Sequence, residues 1–170
     1  DWKDELGKLF ITSDQVFELE KLPKRLAVLG SGVIAIELAQ AMQRLGVQTT
    51  VFARSKKVGS ISSLELQKLA QEIINQELDI KYKVLPDQLK RRGNEVTIQF
   101  TENNEVKEIQ VDYVLNATGR TSLLNTLTLE KIDTQFNDLK NLPVNAESKQ
   151  LGDYPIFIVG DAHSSTPIQH

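Results

Sequence analysis

The sequence predicts an α/β fold in which a parallel sheet is covered on both faces, and three observations predict it. Two short apolar runs, 25–30 and 48–53, flank a segment, 32–45, whose apolar residues recur at helical spacing. The first run ends at Gly30 and the helical segment stops at Gly46, so strand, helix and strand fall within the length of one βαβ unit. Farther along, alternating stretches at 95–100 and 106–111 are separated by the turn pairs Gly93-Asn94 and Asn103-Asn104, the pattern of a small antiparallel meander.

Each element follows from its residues. Residues 1–24 read as a lead-in: Phe10 and Ile11, then Thr12-Ser13-Asp14 as helix caps, a short helix over 15–19, and Pro23 as punctuation. The run 25–30, Arg-Leu-Ala-Val-Leu-Gly, is unbroken rather than alternating, as expected of a strand buried on both faces. Over 32–45, Ile34, Leu38, Ala41, Met42 and Leu45 share a helical stripe. A second stripe, Leu64, Leu66, Leu69, Ile73, Ile74 and Leu78, predicts an amphipathic helix over 64–78, and 80–85 reads as a strand. A strand over 111–115 runs into Asn116-Ala117-Thr118-Gly119-Arg120. The stretch 122–154 is polar without a period, and 154–161 reads as a last strand ending at Gly160-Asp161. The organisation this suggests is a lead-in over 1–24, a nucleotide-binding domain over 25–120 and a return segment over 121–170.

Composition narrows the chemistry. With 170 residues, 40% of them hydrophobic, the chain has the size and core material of one domain. A net charge of -3 offers no general attraction to nucleic acid or an anionic membrane, and no apolar run approaches a bilayer span. The charged start, Asp1 to Glu5, is unlike a signal peptide, and with the lack of cysteine it leads to the expectation of a cytoplasmic protein. Zero cysteines remove thiolate nucleophiles and disulfides, and His163 and His170 alone poorly supply a metal site or a triad. No catalytic or metal-ligating residue is therefore assigned.

The binding chemistry is at the first glycine turn. Gly30-Ser31-Gly32-Val33-Ile34-Ala35 matches G-x-G-x-x-G/A, after a predicted strand and at the opening of a helix. The first glycine permits the turn, the second keeps side-chain atoms away from an approaching pyrophosphate, and Ala35 lets the helix close on the sheet. The helix start presents amides without internal partners and a partial positive charge. The alternative is a glycine turn that merely joins strand to helix; strand, turn and helix together favour a dinucleotide.

The end of the next strand bears on which dinucleotide. A site for NAD places an acid about 20 residues past the motif to accept from the ribose 2′-hydroxyl. Here that position is near Ala53, and no acid occurs between Glu37 and Glu65. The strand runs instead into Arg54-Ser55-Lys56-Lys57, donors that suit a 2′-phosphate and favour NADPH, a solvated basic loop being the alternative.

Three motifs together give the chain a resemblance to the pyridine nucleotide-disulfide oxidoreductase family, in its dihydrolipoamide dehydrogenase-like group. Gly30-Ser31-Gly32-Val33-Ile34-Ala35-Ile36-Glu37 is similar to the family's G-x-G-x-I-G/A-x-E, Ala117-Thr118-Gly119-Arg120 to its A-T-G-R, and Ile158-Val159-Gly160-Asp161-Ala162 to its flavin-binding G-D-A. The resemblance implies a Rossmann-like three-layer parallel sheet with a β-meander crossover at about 88–110, inserted between two segments of an FAD domain to which 1–24 and 121–170 would lead. It implies that Gly30, Gly32 and the helix start hold the NAD(P) pyrophosphate, with Glu37 near the nicotinamide. It also implies that the backbone at Val84 approaches the adenine, Gly119 the nicotinamide half, and Asp161 the FAD. Arg54 and Lys56 match the 2′-phosphate readers of the NADPH-dependent branch, and Val33 stands where some relatives place a tyrosine over the flavin. The family's redox cysteine pair and its histidine-glutamate pair have no counterparts here. The chain thus reads as a piece of a longer, homodimeric FAD-dependent reductase, inactive alone and partnered by missing FAD and dimerisation domains. A non-catalytic nucleotide-binding module and a same-fold reductase of a non-disulfide substrate are the alternatives.

Overall fold

The computed structural model describes residues 2–119, 123–139 and 141–162, with the backbone alone at Leu123, Asn125 and Asp161. The chain forms two compact units, Asp1–Gly119 and Arg120–His170. In chain order the first unit holds α1 (Trp2–Leu6), β1 (Phe10–Thr12), β2 (Arg25–Leu29), α2 (Val33–Arg44), β3 (Gln48–Ala53) and α3 (Leu64–Ile74). It continues with β4 (Asp79–Tyr82), β5 (Pro86–Arg92), β6 (Glu95–Glu102), β7 (Glu105–Val111) and β8 (Tyr113–Asn116).

Five strands make a parallel sheet in the order β1-β8-β2-β3-β4, and β5-β6-β7 make a separate antiparallel sheet. The α/β class with a meander crossover is therefore as the sequence predicts. β2 shows why its run has no polar breaks. Leu26 and Val28 pack on the helix side with Ala35, Ala39 and Met42, whereas Ala27 and Leu29 pack on the meander side with Ile98, Phe100 and Phe52. Alternate side chains leave opposite faces, and both faces are covered. On the meander side Phe52 and Phe100 meet edge to face, their centroids 5.1 Å apart. The stretch read as a lead-in shares these cores: Leu6 and Leu9 lie in the meander-side cluster, Ile11 and Val16 in the helix-side one. Its short helix is a single 3-10 turn, Gln15–Glu18.

At the amino ends of β2 and β8 one carboxylate joins the strands. Asp112 Oδ2 accepts from the Lys24 and Arg25 amides at 2.7 and 3.0 Å, and its Oδ1 accepts from the Arg25 guanidinium at 3.0 Å. The guanidinium also pairs with Glu95 of β6. Burial pushes the Asp112 carboxyl up, but these donors outweigh it and hold the group below its ordinary value.

Three elements differ from the sequence reading. The apolar stripe over 64–78 is divided: Ile74 and Leu78 pack in the helix-side core, whereas Leu64 at 81%, Leu66 at 55%, Leu69 at 52% and Ile73 at 54% are exposed and Gln67 is the buried residue of α3. Residues 154–161 make no strand: Gln150 bridges Phe157, Pro155 has no amide to donate, and Gly160–Ala162 forms a 3-10 turn. An extended segment becomes a strand only where a neighbour takes up its ladder, and here a single bridge does so. The aperiodic stretch before it is built from 3-10 turns around its own core. Leu124, Leu129, Phe136, Leu151 and Ile158 pack together, and Tyr154 lies edge-on to Phe136 and donates to Asp133.

Candidate functional site

In a parallel sheet every strand delivers its carboxyl end to the same edge, the edge where α/β proteins keep their ligands. Here that edge gathers Gly30 after β2, Arg54 after β3 and the 116–119 turn after β8. The Gly30 amide donates to the Phe52 carbonyl at 2.9 Å, and the Ala117 amide donates to the Leu29 carbonyl at 2.9 Å. Gly30 has φ +115°, and a Cβ added there would lie 2.4 Å from the Ala117 carbonyl oxygen. Only glycine can hold this turn against the end of β8. The adjoining turn is fixed by Asn116, whose Oδ1 accepts from the Thr118 hydroxyl at 2.8 Å.

Gly32 is a different case. Its φ of -69° is open to any residue, and a Cβ built there would meet nothing within 4 Å. Protein packing therefore does not require glycine at this position, and the unfilled space lies at the start of α2. Gly32 is the N-cap with no side-chain cap, and the first amide to find a carbonyl within the helix is that of Ile36, which donates to Gly32. The preceding amides, those of Val33, Ile34 and Ala35, are the donors that α-helix geometry leaves for an anion. The residues present fit a dinucleotide's pyrophosphate. Ala35 is fully buried against the sheet, Val33 and Ile34 are half-buried, and Glu37 is exposed on α2.

The basic loop folds back on this turn. Ser31 Oγ donates to the Lys57 carbonyl at 2.7 Å, and the Gly59 amide donates to the Ser31 carbonyl at 2.7 Å. Ser55 Oγ accepts from the Lys57 amide at 3.1 Å, and Arg54, Lys56 and Lys57 are exposed. Val84 is a buried member of the meander-side core, and its amide donates to the Ala53 carbonyl at 3.2 Å, which places its backbone beside the start of the loop. Gly119 is exposed at the end of the first unit.

The bonds above join the Gly30–Gly32 turn, which opens the helix at Val33 and Ile34, to the loop at Lys57 and Gly59; Arg54, Ser55 and Lys56 lie between that loop and β3, with Val84 at its base. Asp161 belongs to the second unit, in the 3-10 turn Gly160–Ala162. Its side chain, Arg120, His163 and His170 lie outside the described residues. Sequence reasoning missed Asn116, although Asn before a turn is a legible signal. It also missed Gln67 and Gln71 of α3, which bond the basic loop and which no pattern announced. Among the described residues no helix is long and apolar enough to cross a membrane.

The fold is shared with solved structures. LpdA from Mycobacterium tuberculosis matches with a TM-score of 0.76 at 23% identity, over 93% of this chain and 34% of that one. A copper(II) complex of the HOCl-induced flavoprotein disulfide reductase RclA from Escherichia coli matches with a TM-score of 0.75 at 18% identity, over 97% and 36%.

Residues 3–170 match the family model described as pyridine nucleotide-disulphide oxidoreductase, and the chain belongs to that family. It is a family of FAD-dependent disulfide oxidoreductases that use NAD(P)H. Curated relatives include mercuric reductase of Staphylococcus aureus, 31% identical over 89% of this chain and 28% of the relative. Dihydrolipoyl dehydrogenase of Bacillus subtilis is 27% identical over 96% of this chain and 35% of the relative. The chain therefore spans about a third of the length of the curated relatives it matches.

Proposed function

We propose that residues 25–119 bind a nicotinamide dinucleotide, NADPH in preference to NADH, within a longer FAD-dependent disulfide oxidoreductase. The observation that carries this reading is the start of α2: Gly32 caps it without a side chain, the amides of Val33, Ile34 and Ala35 lie ahead of the first helical bond, and the exposed Gly32 leaves the approach to them open. Gly30, Gly32 and the amides of Val33, Ile34 and Ala35 would hold the pyrophosphate, and Arg54, Ser55 and Lys56 the 2′-phosphate. Arg54 suits this by the two parallel donors of its guanidinium, and Lys56 as a point charge. When bound, the nicotinamide and flavin supply hydride exchange; this chain's part is binding and orientation, so alone it catalyses no turnover. The longer protein is proposed as a homodimer whose flavin exchanges electrons with a disulfide. The mercuric reductase relative favours, as a second reading, an acceptor other than a disulfide.

Calorimetric titration with NADPH and NADH tests the proposal. Saturable binding with NADPH the tighter ligand is expected. Failure of both to saturate at millimolar concentration would refute it.

A further inference from the structure

Helix α3 buries the wrong residue for a helix that merely packs. Leu66, Leu69 and Ile73 stay half-exposed while Gln67 is 6% exposed. Burying a carboxamide in preference to leucines is unfavourable unless its polar atoms find partners that nothing else would satisfy. Gln67 finds three. Its Oε1 accepts from the Val58 amide at 3.0 Å, and its Nε2 donates to the Val58 and Ile61 carbonyls, each at 2.8 Å. Both donors of the carboxamide are therefore used on one loop. One turn later on α3, Gln71 Nε2 donates to the Lys56 carbonyl.

Seen from the other side, the same loop is held by Ser31, through its hydroxyl on Lys57 and its carbonyl on Gly59. Residues 56–61 are thus held on both sides, by the glycine turn at Lys57 and Gly59 and by the α3 glutamines at Lys56, Val58 and Ile61. Arg54, Lys56 and Lys57 are long, exposed side chains whose own rotamers are free to vary. What these bonds fix is where the Cα atoms of Lys56 and Lys57 stand relative to the glycine turn, Arg54 being placed directly after β3.

We propose that Gln67, assisted by Gln71, is a positioning residue for nucleotide choice: it sets the spacing between the pyrophosphate seat at Gly30–Gly32 and the cations that read the 2′-phosphate. The inference rests on the dinucleotide reading above and assigns its selectivity to a residue that touches no nucleotide. Removing Gln67's bonds loosens the basic loop at Val58 and Ile61, leaving it only the Ser31 and Gln71 bonds, and leaves the glycine turn, with its backbone bond to Phe52 and its close approach to Ala117, in place. The loss should fall on NADPH and spare NADH.

The experiment compares NADPH and NADH affinities, read by nucleotide fluorescence, for wild type, Gln67→Leu and Gln71→Ala. Amide exchange is followed at Val58 and Gly59 and at the β2 and β3 amides. Gln67→Leu is expected to weaken NADPH about tenfold and NADH by no more than about twofold, with exchange raised at Val58 and unchanged in β2. Gln71→Ala, losing one bond at a partly exposed position, should weaken NADPH about twofold to threefold with NADH unchanged. Equal loss of both nucleotides in Gln67→Leu would mark a merely structural role and overturn the proposal. Should Gln67→Leu fail to fold, Gln71→Ala decides by the same ratio. A wild-type protein that binds neither nucleotide refutes the dinucleotide reading and this inference with it. A wild type that prefers NADPH, with both variants keeping its ratio, overturns this inference alone.

Discussion

The two loops that meet at the carboxyl edge of the sheet are held in opposite ways. The glycine turn after β2 is fixed by backbone: the Gly30 amide on Phe52, and a glycine Cα pressed against the Ala117 carbonyl. The basic loop after β3 is fixed mainly by side chains reaching in from elsewhere, the Ser31 hydroxyl on one flank, beside that residue's carbonyl on Gly59, and Gln67 and Gln71 on the other. A turn held by its own backbone keeps its shape when neighbouring residues change. A loop held by borrowed side chains is adjustable, one substitution at a time. The first suits a seat for the part every dinucleotide shares, the second a reader of the part that differs.

The sharpest way to break this comparison is to put a side chain on each glycine of the turn. At Gly30 the new Cβ would sit 2.4 Å from a carbonyl oxygen at φ +115°, so backbone must move. Gly30→Ala is expected to destabilise the protein by about 3 kcal/mol or more, read as a lowered denaturant midpoint at unchanged slope. Gly32→Val adds its methyls to open space at an ordinary φ, so stability should change by less than about 1 kcal/mol. Its expected effect is on binding, a loss of both nucleotides by at least about thirtyfold, or about 2 kcal/mol. If Gly32→Val binds as well as wild type, the pyrophosphate is not seated there.

The other loop yields a smaller and more selective effect. Arg54→Ala removes an exposed guanidinium, so stability should hold. NADPH affinity should fall about tenfold and NADH should be unchanged, because only NADPH offers the phosphate for a bidentate grip. Equal affinities for NADPH before and after would show that the loop is merely solvated.

The same contrast explains what was legible in the residues. Gly30 could be read because a conformation forbidden to side chains leaves its mark as a glycine, and β2 because burial on both faces leaves an unbroken apolar run. The meander showed in its alternation. Helix α3 was legible as a helix, and Ile74 and Leu78 of its stripe reach the core, but Leu66, Leu69 and Ile73 stay exposed while Gln67 is buried among them to serve a loop several residues away. A glutamine's role depends on which backbone groups lie within its reach, and periodicity carries no record of that. Residues 154–161 misled for a related reason: an apolar run states that a segment is ready to pair, and the partner strand is set by tertiary structure.

The smallest effect sharpens the comparison from the far end of β2. There the strand is anchored by a charged group, Asp112, which accepts from the Lys24 and Arg25 amides and the Arg25 guanidinium, remote from both loops. Because the folded carboxyl titrates below the ordinary Asp value of 3.8, its ionised form is favoured by folding. Its contribution is fully present above that ordinary value and is lost as pH falls through the lower, folded one. Asp112→Asn, which keeps the shape and removes the charge, should cost about 1 kcal/mol at neutral pH. The gap to wild type should hold down to the ordinary Asp value and close as pH falls below it through the lower folded value, while both nucleotide affinities at neutral pH stay at wild-type values. A gap that stays constant into acid would mean that the anchor works by shape and not by charge. A shift in the NADPH-to-NADH ratio would mean that the two ends of β2 are coupled, and that the glycine turn is less self-contained than its backbone bonds imply.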